Sequence, residues 1–325
     1  MKVLVTGAAG FIGAALVEAL AKRPEVDRVV AFDQSEPAAK GPKIETVTGN
    51  LAYAPTARSL MAEGGGGRVD AIFHLASLVS GGAEQNFELG MKVNFDATRD
   101  LLEAARMAGH NPKFIFTSSI AVYRGVNLEV TDETRPLPRL SYGAQKLMCE
   151  VMIDDYSRRG FVDGRSVRLP TVLVRPGAAN TAVSGWSSAI IREPLAGRDY
   201  TCPVGPHTRM ACISVSRVVA SLLHAMDIPA DDPGADRTLL LTGITVSAQA
   251  MLTAVQLATG GKPVGKETGG KVHLGQVRFE PDPAAQALMD SVARSTFSAR
   301  AARLGFKHSA NIEEIVSEYI EGRTA

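Results

Sequence analysis

The sequence predicts an α/β protein: a doubly wound parallel sheet covered by helices, followed by a smaller C-terminal lobe. Three observations carry that expectation. Short apolar runs alternate with amphipathic segments through the first half, the pattern left by strands joined through crossover helices. The first run, Val3-Leu4-Val5, enters a helical pattern at Phe11 through glycines at 7, 10 and 13. From Gly177 onward the periodicity weakens while glycine and proline become frequent, as expected where a substrate lobe begins.

The opening segment is the most informative. Gly7 permits a tight turn, Gly10 removes the Cβ that would hold a diphosphate off the backbone, and Gly13 lets the helix pack closely on the strand. The uncovered N–H groups and positive dipole end of that helix then face the phosphates. A second apolar run, 28–32, ends in Asp33 twenty residues after Gly13, where a carboxylate can accept hydrogen bonds from ribose hydroxyls. The segment reads as a Rossmann-type dinucleotide site. Phe32, Gln34 and Ser35 supply no positive charge, so NAD is expected over NADP.

Further strands are predicted at 43–47, 71–75, 113–117 and 164–169. Thr48-Gly49-Asn50-Leu51 puts a polar side chain at a strand's carboxyl end, where Asn50 can bond the adenine or close an Asx turn. His74 lies inside Ile72-Phe73-His74-Leu75 and reads as a satisfied core residue rather than a catalyst. Leu75-Ala76-Ser77 is small enough for backbone to approach a cofactor. The segment 91–107 reads as an amphipathic helix whose apolar side is broken by Asn94, a buried amide that needs partners. Gly64 through Gly67 reads as a linker. Helices are expected at 213–226, 245–259, 297–304 and 312–320, with a strand at 237–242. The expected organisation is a dinucleotide domain of 1–176 plus 213–243, and a lobe of 177–212 plus 244–325.

The chemistry gathers around 113–146. Tyr142 and Lys146 are four apart, so a helix presents both on one face. A free phenol with a pKa near 10 is a poor base, but a nearby ammonium favours the phenolate. Tyr142 can then accept a hydroxyl proton as hydride leaves the same carbon, with Lys146 holding the nicotinamide ribose and a serine orienting the reacting oxygen. Pro203 through Arg209 reads as a rigid turn delivering Arg209, which either grips a carboxylate or stays solvated.

The motifs Thr6-Gly7-Ala8-Ala9-Gly10-Phe11-Ile12-Gly13, Asp33, His74-Leu75-Ala76-Ser77, Val93-Asn94, Ser118-Ser119-Ile120-Ala121-Val122-Tyr123 and Tyr142-Gly143-Ala144-Gln145-Lys146 run in one order. Together they resemble the extended short-chain dehydrogenases/reductases, which include sugar-nucleotide epimerases and dehydratases. The resemblance implies Ser119, Tyr142 and Lys146 as catalytic residues. It implies cofactor contacts from Gly7, Gly10, Phe11, Ile12, Asp33, Asn50, Leu51, Leu75, Ala76, Ser77, Asn94, Ser118, Tyr142, Lys146, Pro170 and Val172. Asn50 stands where an aspartate is usual, and Arg124 where glycine commonly follows the tyrosine. Segments including Arg168-Leu169-Pro170-Thr171-Val172, Arg175-Pro176-Gly177 and Ile191-Arg192-Glu193-Pro194-Leu195 are similar to the D-erythronate dehydrogenase branch. That similarity implies oxidation at C2 of a small sugar acid, with Ser119, Thr171, Asn180 and Arg209 as substrate contacts. A sugar-nucleotide epimerase or dehydratase on the same scaffold is the first alternative. A dinucleotide sensor is the second, disfavoured because Ser119, Tyr142 and Lys146 are all present.

The rest of the composition narrows the partners. With 325 residues, 45% of them hydrophobic, and a formal net charge of +1, no global field recruits nucleic acid or an acidic membrane. Cys149, Cys202 and Cys212 lack metal-ligand spacing and read as small buried hydrophobes of a reducing compartment. No bound metal is expected. No apolar run resembles a secretory signal or reaches membrane-spanning length, so a cytoplasmic enzyme with a small-molecule partner is expected. The resemblance also implies a homodimer formed through the helices near 91–107 and 142–158.

Overall fold

A computed structural model describes residues 1–62, 68–125, 128–177, 184–264 and 273–324. The first half folds as β1 (Lys2–Thr6), α1 (Phe11–Ala21), β2 (Arg28–Asp33), β3 (Ile44–Thr48), α2 (Ala54–Met61), β4 (Ala71–His74), α3 (Ser80–Gln85) and α4 (Phe87–Gly90). A π-helical turn, Met91–Asp96, continues into α5 (Ala97–Ala108), then β5 (Lys113–Ser119), the 3-10 turn Ile120–Val122, β6 (Glu129–Val130), α6 (Ser141–Arg158) and β7 (Asp163–Leu169). The second half holds β8 (Thr171–Leu173), α7 (Gly185–Leu195), β9 (Tyr200–Cys202), β10 (Arg209–Ser214), α8 (Val215–Asp227), β11 (Thr238–Leu240), β12 (Ile244–Ser247) and α9 (Ala248–Thr259). It closes with β13 (Val277–Phe279), α10 (Pro283–Asp290), β14 (Ser295–Thr296), α11 (Ala299–Arg303) and α12 (Ile312–Thr324).

Seven strands form one parallel sheet in the order β11-β7-β5-β4-β1-β2-β3. The order reverses beside β1, which opens a crevice at the strands' carboxyl ends. Alternating side chains explain why both faces are apolar. Val3, Val5, Ala31, Phe73 and Ile115 pack beneath α1 and α8, whereas Leu4, Val30, Ile72, Phe114 and Phe116 pack beneath α2, α5 and α6. The expected six strands are all present within a residue or two at each end, and the 237–242 segment supplies the seventh.

A second core gathers Trp186, Ile190, Met210, Met251, Val255 and Val316 around β8, β10 and β12. In that small sheet β10 runs parallel to β8 and antiparallel to β12. Gly64 through Gly67 and Asn180 lie outside the described residues.

The predicted helix 91–107 begins with the π-helical turn, which aims Asn94 inward. Its Oδ1 accepts from Leu78 N (2.7 Å) and Ser77 Oγ (3.1 Å), and its Nδ2 donates to Leu78 O (3.0 Å) and Gln145 Oε1 (2.7 Å). One buried amide thus ties the exit of β4 to α6. His74 is fully satisfied between Thr6 Oγ1 (2.7 Å) and Thr98 Oγ1 (2.9 Å), and burial lowers its pKa to about 3. Because the Thr98 hydroxyl donates to Asn94 O (2.7 Å), it accepts from His74 Nε2–H, leaving Nδ1 to accept from Thr6. The ring is a neutral tie between β1 and α5.

A buried ion pair involves α6 one helical turn beyond Lys146. Glu150 accepts from Arg168 Nε (2.9 Å), Arg168 Nη2 (2.6 Å) and Ser118 Oγ (2.5 Å). The same guanidinium bonds the Tyr123 hydroxyl and lies over its ring. Removing one member of such a pair strands the other's charge. Glu150→Ala should therefore lower unfolding stability by ~3–5 kcal/mol in a denaturant melt; a loss below about 1 kcal/mol would show that the pair is not buried as described.

Candidate active site

The carboxyl end of the sheet opens into a cavity of about 520 Å³ whose wall runs from the glycine loop to α10. At one end, Gly7 has φ +76°, and a Cβ there would stand 2.6 Å from Ala76 N. Gly13 is equally constrained, since its Cβ would fall 2.1 Å from Gly7 O. Strand β1, the exit of β4 and α1 can meet only without those side chains. No side chain caps the α1 N-terminus, and Gly10, Phe11 and Ile12 form cavity wall there. Uncovered N–H groups beside a glycine suit a diphosphate. Asp33 accepts from Ala9 N (3.0 Å) and Ser35 N (3.1 Å), so its carboxylate is fixed against the same loop. These residues fit NAD: Gly10 to Ile12 would hold the diphosphate and Asp33 the adenosine ribose.

Asn50 accepts from Ala52 N (2.9 Å), closing the Asx turn that was one of its two readings. Leu51 is buried in the core beside Phe32. Neither residue lines the cavity. Leu75, Ser77, Pro170, Thr171 and Val172 do, whereas Asn94 stands behind the wall and reaches it only through Ser77.

At the reacting end, β5 alternates: Thr117 and Ser119 line the cavity, whereas Ser118 turns its hydroxyl back to Glu150. Of the predicted Ser118 contacts, only backbone ones remain open to a cofactor. Ser119 Oγ accepts from Ala121 N (3.1 Å) and starts the 3-10 turn. Tyr142 is the second residue of α6. Its neighbour Gly143 explains how α6 comes so near: a Cβ there would lie 2.2 Å from Ala121 O. Ser119 and Tyr142 are thereby brought together, and Lys146 follows one helical turn later.

The electrostatics differ from the sequence expectation. Burial raises the Tyr142 phenol above its ordinary pKa, opposed by the Ser77 and Ser119 hydroxyls and by the charge of Arg175. Lys146 stands one helical turn further on. Its Nζ lies 5.6 Å from the Tyr142 ring centroid, donates to Thr117 O (2.8 Å) and sits 4.4 Å from the Phe116 ring centroid. Burial lowers the Lys146 pKa to about 8.

Arg209 is corrected by the structure. It is exposed at the start of β10 and outside the cavity wall, while the next residue, Met210, lines it. Successive side chains of β10 turn to opposite faces, and Met210 is the one on the cavity side. Sequence reasoning gave no role to two arginines that do line the cavity, Arg124 and Arg175. Arg175 lies 5.2 Å from the Phe11 ring centroid, on the glycine-loop side. The arginine in Arg175-Pro176-Gly177 was the available signal, but nothing in sequence spacing relates it to Tyr142.

Residues 3–234 match the NAD dependent epimerase/dehydratase family. The chain belongs to that family. It is 37% identical to the D-erythronate dehydrogenase of Cupriavidus necator over 99% of this chain and 98% of that protein. It is also 37% identical to the D-erythronate dehydrogenase of Haemophilus influenzae, over 99% of each. Among solved structures, a protein described as the nucleoside-diphosphate-sugar epimerase from Agrobacterium tumefaciens superposes with a TM-score of 0.88 at 34% identity. That match covers 99% of this chain and 94% of the other. The family is NAD dependent, in agreement with the NAD expected from the sequence. Among the described residues no cluster of His, Cys, Asp and Glu could hold a metal, and no helix is long and apolar enough to cross a membrane.

The Lys146 environment gives a linkage test. Below pH 8 the folded protein carries a buried ammonium, and between about 8 and 10.5 it has shed a proton that the unfolded chain still binds. Stability contributed through this group therefore rises with pH across that interval. In NAD-free melts, wild type should gain Tm relative to Lys146→Met as pH goes from 7.5 to 10; parallel curves for the two proteins would refute the burial argument.

Proposed function

We propose that this chain is a dehydrogenase that uses NAD to oxidise the C2 hydroxyl of a small sugar acid, with D-erythronate to 2-oxo-D-erythronate as the first candidate. The observation that carries the proposal is the cavity wall. Ser119, Tyr142 and Lys146 meet in it, and among the described residues its charged members, Arg124, Lys146 and Arg175, are all cationic. Such a wall favours an anionic substrate. The full-length relatives named for D-erythronate support the same class.

NAD, when bound, supplies the hydride acceptor. Tyr142 takes the C2 hydroxyl proton while the C2 hydrogen leaves as hydride, its phenolate favoured against burial by the Ser77 and Ser119 hydroxyls and the charge of Arg175, and the Ser119 hydroxyl holds that oxygen in line. Lys146 holds the nicotinamide ribose. Arg175 takes the clamp role expected of Arg209: its charge acts on the Tyr142 phenol, and the carboxylate is one bond from the reacting carbon. Thr171, on the same wall, is proposed for a hydroxyl contact. The fold match to a structure described as a nucleoside-diphosphate-sugar epimerase favours a second reading, in which hydride returns to the substrate and no NADH accumulates.

Assays with NAD separate the two. D-erythronate should yield NADH and the 2-oxo acid, UDP-sugars should not react, and Tyr142→Phe should lower turnover by ~10²–10⁴ while NAD still binds. Epimerised UDP-sugar without net NADH would establish the second reading instead.

We infer also that the protein is a cytoplasmic homodimer. Phe87 and Leu89 on α4, and Met148 and Val151 on the adjoining α6, are exposed apolar side chains on neighbouring helices. Such a patch supports association with a second copy. Wild type should sediment as a dimer and Val151→Lys as a folded monomer; a monomeric wild type at micromolar concentration would refute this.

A further inference from the structure

Ser77 stands at the exit of β4, in the cavity wall that also holds Tyr142 and Ser119. The buried amide of Asn94 fixes where its hydrogen points. Asn94 Oδ1 accepts from Leu78 N (2.7 Å) while Asn94 Nδ2 donates to Leu78 O (3.0 Å), so a backbone donor and a backbone acceptor settle which end of the amide is which. Toward Ser77 Oγ, 3.1 Å away, Oδ1 can only accept, and the Ser77 proton is spent on it. The other acceptor within reach, Leu78 O at 3.4 Å, would spend it likewise.

Tyr142 is hydrogen-bonded to both Ser77 and Ser119. With its own hydrogen on Asn94, Ser77 accepts from the phenol O–H, so this arrangement suits the protonated tyrosine. Ser119 is placed differently: its Oγ accepts from Ala121 N, and its hydrogen stays available to a reacting oxygen. A phenolate reverses the requirement at Ser77, since it has no hydrogen to give and needs donors. A hydroxyl meets both states by turning about its C–O bond, and Asn94 Oδ1 keeps Leu78 N when it does. The amide itself is held by Leu78 and by Gln145 Oε1 (2.7 Å).

Charged groups reach Tyr142 from several elements. Lys146 on the same helix has its Nζ 5.6 Å from the ring centroid, and Arg175, beyond β8, acts on the phenol by its charge. Arg124, beyond β5, lines the same cavity, and Glu84 of α3 accepts from Ser141 N (3.0 Å), next to Tyr142 in the chain. The cations favour the phenolate and the carboxylate opposes it, wherever the tyrosine proton is; the Ser77 hydroxyl can change with it.

We propose that Ser77 is a positioning residue for the Tyr142 base, a hydroxyl that donates to the phenolate before the reaction and turns to Asn94 as the phenol forms. The C2 hydroxyl proton goes to Tyr142 and the hydride to NAD; no proton passes through Ser77, whose hydrogen only changes acceptor. Ser119 is thereby left for the substrate oxygen. The proposal rests on the reading that Tyr142 is the base of a C2 oxidation.

The test is the pH profile of kcat/KM for D-erythronate with saturating NAD in wild type, Ser77→Ala and Ser77→Thr. Ser77→Ala removes a donor to the phenolate, so the acid limb should move up by about one pH unit, with kcat/KM roughly tenfold lower at pH 7 and close to wild type on the alkaline plateau. Ser77→Thr should restore the wild-type limb. A loss of the same size at every pH, an unchanged profile, or a threonine variant that behaves like alanine overturns the assignment. Tyr142 ionisation is also read without substrate, in the NAD-loaded protein, from the NMR shift of isotope-labelled tyrosine Cζ, the signal being the one lost in Tyr142→Phe. Its midpoint should rise by about one pH unit in Ser77→Ala. An unmoved midpoint overturns the role of Ser77; a raised midpoint with inert D-erythronate supports that role and removes the sugar-acid reading alone.

Discussion

The reacting end of this protein depends on one close approach, that of the α6 N-terminus to the turn after β5. Gly143 makes it possible, because any Cβ would collide with the carbonyl oxygen of Ala121. The 3-10 turn is itself started by Ser119, whose hydroxyl caps Ala121 N–H. A residue that faces the cavity therefore also shapes the surface on which α6 seats. Tyr142 and Lys146 then follow from helical geometry alone, with no loop to adjust them.

That arrangement buries charge, and the charges fall into two groups. Glu150 and Arg168 neutralise each other behind the wall, with Ser118 and Tyr123 filling their remaining hydrogen-bonding capacity. They brace α6 against β5 and β7. Lys146 makes no ion pair among the described residues; its ammonium meets the Thr117 carbonyl and the Phe116 and Tyr142 rings, and burial lowers its pKa to about 8. Stability alone would favour an apolar residue there. A buried, poorly compensated ammonium at a cavity wall is better explained by a ligand that uses it.

Much of this was legible in the chain. Period-two alternation with two apolar faces located the strands, and the glycine spacing located the dinucleotide end because backbone sterics act over a few residues. Tyr142 and Lys146 were legible for the same reason, lying one helical turn apart. What was not legible depends on contacts across the fold. Arg209 lost the proposed clamp role to strand phase, since β10 presents Met210 and not Arg209 to the cavity. Ser118 lost its side-chain role to Glu150, thirty-two residues away. That the charge of Arg175 acts on the Tyr142 phenol was not legible either, because the two lie thirty-three residues apart in the chain.

The wall also bears on which reaction the scaffold favours. An epimerase must retain its oxidised intermediate until hydride returns to the other face, which calls for a firm hold on the part of the substrate that does not react. A nucleotide provides such an anchor, but it needs polar groups to read a base. The wall includes the apolar side chains of Met210, Met289, Val292 and Ala293 together with Arg124. A wall whose charged side chains among the described residues are all cationic suits a short anionic molecule that leaves once it is oxidised, the reading proposed above.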